Sequence, residues 1–309
     1  MGADPLGQLC RRAPRHQGVK ILVTGRNGQV AQSLAERSGP GHEFVFADRP
    51  GLDLADPVSI ERTVEQVRPA IVFSVAAYTA VDKAESERDL AFAVNGEGPG
   101  VLARAAARLG APIVHLSTDY VFDGTGGRAY REDDPVGPIG VYGESKLAGE
   151  QAVQVSGATY AILRTAWVYS PFGHNFVKTM LRLAADRDEL SVVEDQHGCP
   201  TSALDIADAM LRVADSWAAE PGKGADSIYH FAGSGETNWA DFARAIFAIS
   251  GDRGGPSAAV RGIPTSAYPT PARRPANSRL DSSRFAATFG LRSPEWRAAL
   301  EPVVARLIG

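Results

Sequence analysis

Cysteine is nearly absent from this chain: Cys10 and Cys199 are the only two, and neither lies in a C-x-x-C pair or beside a cluster of histidines. That excludes a disulfide framework and a zinc site of ordinary ligand spacing, and it fits a reducing, cytoplasmic compartment. Long apolar runs are missing too. The longest, such as 71–77, fall far short of the roughly 20 residues that span a bilayer, so no membrane association is expected. Nor is there a basic excess: 32 Lys+Arg stand against 36 Asp+Glu, for a formal net charge of −4. A nucleic-acid partner, which demands a basic footprint to neutralise phosphates, is therefore excluded. The histidines His42, His115, His174, His197 and His230 show no paired spacing. Structural or surface roles are expected for each.

What is present is an ordinary globular balance, 44% hydrophobic and 22% charged over 309 residues, enough for one large domain and a smaller one. Residues 1–18, with Arg11, Arg12, Arg15 and His16, read as a loose N-terminal extension or as an overlong start. From Val19 onward, short β-branched runs at 19–24, 43–48, 70–76, 112–117 and 159–164 alternate with amphipathic segments. In 56–68, for example, Asp56 caps, Pro57 suits the first turn, and Ile60, Val64 and Val67 share a face. Repeated βαβ units of this kind build a doubly wound parallel sheet of Rossmann type. After about residue 168 the texture shifts to helices at 174–187, 203–219 and 237–250 with short strands near 190–194 and 228–232. The expected organisation is a dinucleotide-binding domain at 19–168 and a smaller mixed α/β substrate lobe at 169–309, the two exchanging elements. Trp239, Phe242, Ile246 and Phe247 are expected to be helix core. The stretch 264–280, with Pro264, Pro269, Pro271 and Pro275, lacks any periodicity, and an irregular segment of that length in a compact chain is either disordered or functional.

The first strand runs into ILVTGRNGQVAQSL, which sets Gly25 and Gly28 at a strand-to-helix turn with the spacing G-x-x-G-x-x-A ending at Ala31. Such a turn lets a backbone approach a pyrophosphate while the helix N-terminus faces the negative charge. Asp48, at the end of the second strand, stands where an acid receives the adenosine ribose hydroxyls. Its neighbour Arg49, with Arg26, suits a ribose 2′-phosphate instead, so NADPH is the expected cofactor with NADH tolerated; the alternative is that Asp48 and Arg49 merely open a surface turn. Asp53 and Leu54 are expected to clasp the adenine.

The fourth strand delivers Ser117, Thr118 and Asp119 to the carboxyl edge of the sheet, where open α/β folds keep their ligands. A following helix, VYGESKLAGE, carries Tyr142 and Lys146 four residues apart and therefore on one face. A phenol with a pKa near 10 donates protons poorly at neutral pH, but a fixed cation stabilises the phenolate and lowers that value. Tyr142 then suits proton delivery to a ketone oxygen during hydride transfer, with the Thr118 hydroxyl giving a second hydrogen bond and Lys146 holding the nicotinamide ribose. Asn95 is expected to anchor a water that replenishes the proton.

A glycine turn after strand one, Ser-Thr after strand four and Tyr-x-x-x-Lys on the next helix together resemble the extended short-chain dehydrogenase/reductase superfamily. The segments AAYTAVDKAE at 76–85, HLSTDYVFDG at 115–124, YGESKLAGE at 142–150, RTAWVY at 164–169 and AYPTPARRPANSRL at 267–280 narrow the likeness to the dTDP-4-dehydrorhamnose reductases, over residues 19 to 305. The resemblance implies reduction of a nucleotide-sugar 4-ketone. It implies that Gly28, Gln29 and Val30 meet the cofactor pyrophosphate, that Ala77, Tyr78 and Thr79 line the cofactor path, and that Thr118 and Asp119 meet the sugar. Tyr142 becomes the proton donor and Lys146 its partner, Trp167 lies against sugar or nucleotide, and Arg273, Arg274 and Asn277 form a clamp over diphosphate or base. Two departures stand out. Ser74 replaces the family's usual asparagine, and Ser33 and Leu204 occupy positions where some members carry glutamates that bind a dimer-bridging Mg²⁺, so no metal and a monomer are expected. Two rivals remain: a non-catalytic nucleotide-binding subunit, and a related dehydratase or epimerase. Against dehydration, Asp119 is followed by Tyr120 rather than by a second carboxylate.

Overall fold

The structure, a computed structural model, describes residues 18–309; the expected N-terminal extension, Gly18 apart, and Cys10 lie outside the described residues. The first half runs β1 (Val19–Thr24), α1 (Gln29–Glu36), β2 (His42–Ala47), α2 (Pro57–Val67), β3 (Ile71–Ser74), α3 (Val81–Ala84), α4 (Arg88–Phe92), a π turn (Ala93–Glu97), α5 (Gly98–Arg108), β4 (Ile113–Thr118), α6 (Val141–Gln154) and β5 (Tyr160–Thr165). Alternation along β1 builds two cores at once. Ile21 and Val23 enter one with Val30 and Leu34 of α1, whereas Leu22 enters the other with Ile60 and Val64 of α2 and Leu102 of α5. A strand buried on both faces reads as a nearly continuous apolar run, which is what VKILVT supplies. Helix α2 starts where expected because the Asp56 carboxylate accepts from Val58 N at 3.0 Å and Pro57 occupies the first turn.

The second half contributes β6 (Val168–Tyr169), α7 (Phe176–Ala184), β7 (Glu189–Val193), β8 (His197–Gly198), β9 (Thr201–Ser202), α8 (Ala203–Ala219), β10 (Ser227–His230), β11 (Thr237–Asn238), α9 (Trp239–Gly251), β12 (Ala259–Ile263), β13 (Asn277–Ser278), α10 (Ser283–Phe289) and α11 (Trp296–Ile308). Helix α7 begins later than its sequence pattern suggests, because Asn175 stops it by accepting from Lys178 N at 3.1 Å. Strand β10 pairs in parallel with β5 and completes a six-stranded sheet in the order β10-β5-β4-β3-β1-β2, all of its pairings parallel. The order in which strands are added reverses between the parallel neighbours β1 and β3, and such a switch point opens a crevice beyond the strand C-termini. Helix α8 packs beneath the same sheet with α1. A separate core of Val177, Met180, Leu181, Phe242, Ile246, Phe247 and Trp296 holds α7, α9 and α11 together. The irregular strap 264–280 is tied down near its end, where β13 pairs with β8.

Candidate active site

The crevice begins at Gly25, whose φ of +82° belongs to the left-handed region that a side chain resists. Thr24, fully buried, accepts from Val75 N and Ala76 N at 3.0 Å each, so the turns after β1 and β3 are fastened together. Sequence reasoning passed over Thr24, since a strand-terminal threonine carries no signal of its long-range partners. Gly28 precedes α1 without any side-chain cap, and no atom lies within 4 Å of where its Cβ would stand. Uncapped N–H groups at a helix start, beside open space, fit a dinucleotide pyrophosphate. Val30 is buried under this turn. The Gln29 side chain, in contrast, is engaged elsewhere: its Oε1 accepts from Ser170 Oγ at 2.8 Å and Asn175 Nδ2 at 3.0 Å, which leaves its backbone N–H for a ligand. Asp48 is half-buried beyond β2 and Arg49 beside it is exposed, as is Arg26. Asp53 closes its own turn, Oδ1 accepting from Ala55 N at 2.9 Å. Leu54 departs from expectation, for its side chain is buried in the α2–α5 core and is not free to hold an adenine.

The catalytic face is set by how closely α6 approaches the turn after β4. A Cβ on Gly143 would collide with the Tyr120 carbonyl, so only glycine permits the contact. Tyr142, next to it, meets the Tyr120 ring edge-on with centroids 5.4 Å apart, and the Thr118 side chain lies near enough to its phenol to act on its acidity. Thr118 in turn donates to Asp119 Oδ1 at 3.0 Å and accepts from Tyr120 N at 3.2 Å. Burial and then the Asp119 carboxylate push the Tyr142 phenol up to about 12, with Thr118 opposing. The expected lowering by Lys146 is absent. The Lys146 ammonium is directed instead at the Leu116 carbonyl, 2.8 Å away, with His115 Nε2 at 3.4 Å; burial brings it down to about 8, against the pull of Glu150. Asp119, also buried, is raised by desolvation to about 6, and its Oδ2 has no partner.

Asn95 departs from expectation as well. Its Oδ1 accepts from Tyr78 N at 2.8 Å, and its Nδ2 donates to the Tyr78 carbonyl and to Ser145 Oγ, each at 3.0 Å. Buried, it fixes the path of Ala77, Tyr78 and Thr79 beside α6 through its side-chain amide. The Tyr78 hydroxyl donates to Glu87 at 2.6 Å, so its ring is pinned at both ends.

On the substrate side, a cleft of about 850 Å³ is lined by residues that include Arg187, Gln196, Trp239, Arg261, Tyr268 and Arg274. Trp167, at φ +49°, stacks on Trp239 with centroids 3.5 Å apart. Trp239 is therefore not plain helix core, unlike Phe242, Ile246 and Phe247, which are buried; an amphipathic helix pattern cannot tell a core position from the wall of a cleft. Arg273 is exposed, while Arg274 is ion-paired with Asp82. The structure gives Asn277 a different task from gripping substrate: Nδ2 donates to the Gly126 and Arg128 carbonyls at 2.6 and 2.8 Å, and Oδ1 accepts from Arg279 N and Nε. Every hydrogen-bonding position of that side chain is filled, and it locks the strap to loop 124–130. The neighbouring Ser278, absent from the sequence expectation, is buried near Asp119 and acts against the rise of its carboxyl.

Among the described residues, no helix is long and apolar enough to cross a membrane and no group of three or more His, Cys, Asp or Glu is placed to hold a metal ion. Comparison with known proteins adds four findings. Residues 19–308 match the family described as the RmlD substrate binding domain. A dTDP-4-dehydrorhamnose reductase of Sinorhizobium fredii is 48% identical over 290 residues, 94% of this chain and 98% of that one. Among solved structures, the dTDP-4-dehydrorhamnose reductase of Clostridium acetobutylicum superposes with a TM-score of 0.87 at 38% identity, over 93% of this chain and 99% of its own. The Bacillus anthracis enzyme of that name, in complex with NADP, also reaches 0.87, at 34% identity over 94% and 100%.

Proposed function

The chain belongs to the RmlD substrate binding domain family, and from that membership we propose that it reduces the 4-keto group of dTDP-4-dehydro-L-rhamnose to give dTDP-L-rhamnose, using NADPH with NADH tolerated. The observation that carries the chemistry is the approach of the Thr118 side chain to the Tyr142 phenol where α6 packs on β4. When bound, the reduced nicotinamide supplies the hydride. The chain's own residues do the rest. Gly25, Gly28, Val30 and the backbone of Gln29 receive the pyrophosphate, Asp48 and Arg49 the adenosine ribose, and Ala77, Tyr78 and Thr79 border the path to the nicotinamide. Tyr142 passes its proton to the ketone oxygen as negative charge develops there, and Thr118 steadies that oxygen by turning its one hydroxyl hydrogen from Asp119 Oδ1 toward it. A phenol held up at about 12 remains a proton donor at neutral pH, so it is protonated when the ketone arrives. Asp119 and Trp167 border the sugar, and the cleft beside Arg273 and Arg274 takes the diphosphate, to which guanidinium forks are suited.

Elimination of water is the weaker reading, because the residue after Asp119 is Tyr120, whose ring packs against Tyr142 instead of offering a second carboxylate. We further propose a cytoplasmic monomer that acts on a small nucleotide sugar without nucleic-acid or membrane partners; light scattering checks the monomer. The deciding assay follows NADPH oxidation with freshly prepared dTDP-4-dehydro-L-rhamnose. Native protein turns over, and Tyr142→Phe loses about a thousandfold in kcat with NADPH affinity unchanged. Full activity in the variant removes the proton donor from the scheme, and tight NADPH binding without turnover in native protein points to a regulatory subunit.

A further inference from the structure

Behind the catalytic face, three buried side chains form a file that the reaction scheme leaves unexplained. Ser74 and His115 are register partners on β3 and β4. Ser74 Oγ lies 3.0 Å from His115 Nδ1, and His115 Nε2 lies 3.4 Å from Lys146 Nζ on α6. None of the three is more than 2% exposed. We propose that His115, fixed by Ser74, is the positioning residue that holds the Lys146 ammonium charged and in place; this rests on reading Lys146 as part of the catalytic site.

The chemistry of the groups determines the direction of each bond. An ammonium carries donors only, so its contact with His115 is attractive only if Nε2 presents a lone pair. A neutral imidazole has one N–H, which must then sit on Nδ1 and be given to Ser74 Oγ. Protonation of the imidazole is opposed by burial and by the Lys146 charge, which together hold it well below its ordinary range. Lys146 is thereby left with two directed acceptors, His115 Nε2 and the Leu116 carbonyl, and with a third donor for the site. The other ionisable groups around it are Tyr142 and Glu150, one turn away on either side along α6, and Arg164 on β5. Arg164 takes both Glu150 oxygens, at 2.9 and 2.7 Å, while Ser117 donates to Glu150 Oε1. Glu150 is thus committed to an arginine, and His115 is the side chain in contact with the ammonium. The substitution of Ser74 for an amide gains a meaning here, since a short hydroxyl opposite His115 accepts its Nδ1–H.

The test titrates Lys146 directly in the full-length protein. The chain's lysines are Lys20, Lys83, Lys146, Lys178 and Lys223, so side-chain NMR of ¹³C-labelled lysine, assigned with Lys146→Arg, follows each separately. Loss of a hydrogen bond to a buried cation disfavours the charged form, so His115→Leu lowers the Lys146 midpoint by about one pH unit. His115→Gln, which returns an acceptor near the Nε2 position, restores it; His115→Asn, whose shorter amide reaches Ser74 only, does not. Ser74→Ala, which frees the tautomer, shifts Lys146 the same way by less, and it decides the matter should His115→Leu fail to fold. An unmoved Lys146 in both His115→Leu and Ser74→Ala, or equal behaviour of the Gln and Asn variants, overturns the proposal. No substrate enters this measurement, so absence of reductase turnover would count against the proposed reaction without touching it. Where turnover is present, the basic limb of the kcat/KM profile moves to lower pH in step with the NMR shift.

Discussion

Arg274 and Asp82, 192 residues apart in the chain, form a two-pronged ion pair, Nη2 to Oδ2 at 2.9 Å and Nη1 to Oδ1 at 3.1 Å. The arginine anticipated as a free phosphate clamp is thereby fastened to α3, and it fixes the strap beside the cleft it lines. A clamp already bonded to a carboxylate meets a diphosphate only by sharing or exchanging that partner.

Asp82→Asn is accordingly expected to change the KM for the nucleotide sugar by several-fold while leaving kcat near native. Both partners are partly exposed, so the pair contributes about 0.5 kcal/mol to stability. Its pH dependence has a definite sign. Arg274 holds the Asp82 carboxyl below its ordinary 3.8, so the contribution is complete above about pH 4 and disappears as pH falls through the folded-state value. Thermal melts of native and variant protein are expected to differ slightly at pH 7 and to converge in acid.

Asp119 has the opposite sign. Burial raises its carboxyl from 3.8 to about 6, so between those values the folded chain binds a proton that the unfolded chain has released. Stability then falls as pH rises through that window, by about 2 kcal/mol. Chemical denaturation at pH 4.5 and 7 measures this slope, and Asp119→Asn is expected to reduce it, with half-buried Asp205, also raised to about 6, keeping a part of it. A variant that keeps the native slope shows that another group carries the proton.

Cofactor choice is read at Arg49, exposed beside the half-buried Asp48. Replacement by alanine is expected to weaken NADPH by about tenfold, the scale of one charge-assisted contact with a phosphate, and to leave NADH nearly unchanged. Paired dissociation constants check it; equal losses for both cofactors place the 2′-phosphate elsewhere.

Gly143→Ala tests how Tyr142, the proposed proton donor, is placed. The added Cβ falls on the Tyr120 carbonyl, so α6 must shift at a cost of about 2–3 kcal/mol. A lowered denaturation midpoint together with a reduced kcat is expected. Native kcat in a destabilised variant means that Tyr142 tolerates the displacement.

Much of the frame was legible because it depends on local rules. Alternation located the strands to within a few residues, and the α8 bounds at Ala203–Ala219 coincide with the expected 203–219. Asp56 with Pro57 marked a helix start that the structure also has. Expectation failed where a side chain has both a local reading and a distant partner. Leu54 lies in a loop that sequence assigns to a ligand, yet it fills a gap between α2 and α5. Asn95 and Asn277 read as free polar groups because nothing nearby in sequence reveals the backbone groups they satisfy.

By itself the sequence determined the glycine turn after β1 and the helix that carries Tyr142 and Lys146 on one face. These follow from backbone geometry and composition over a few residues at a time. Only the tertiary structure decided which acceptor Lys146 faces, that Ser74 stands beside His115, and that Arg274 closes on Asp82. Periodicity specifies which face of a strand is buried but not which strand lies next to it, and a buried donor takes whatever acceptor the sheet order brings within reach.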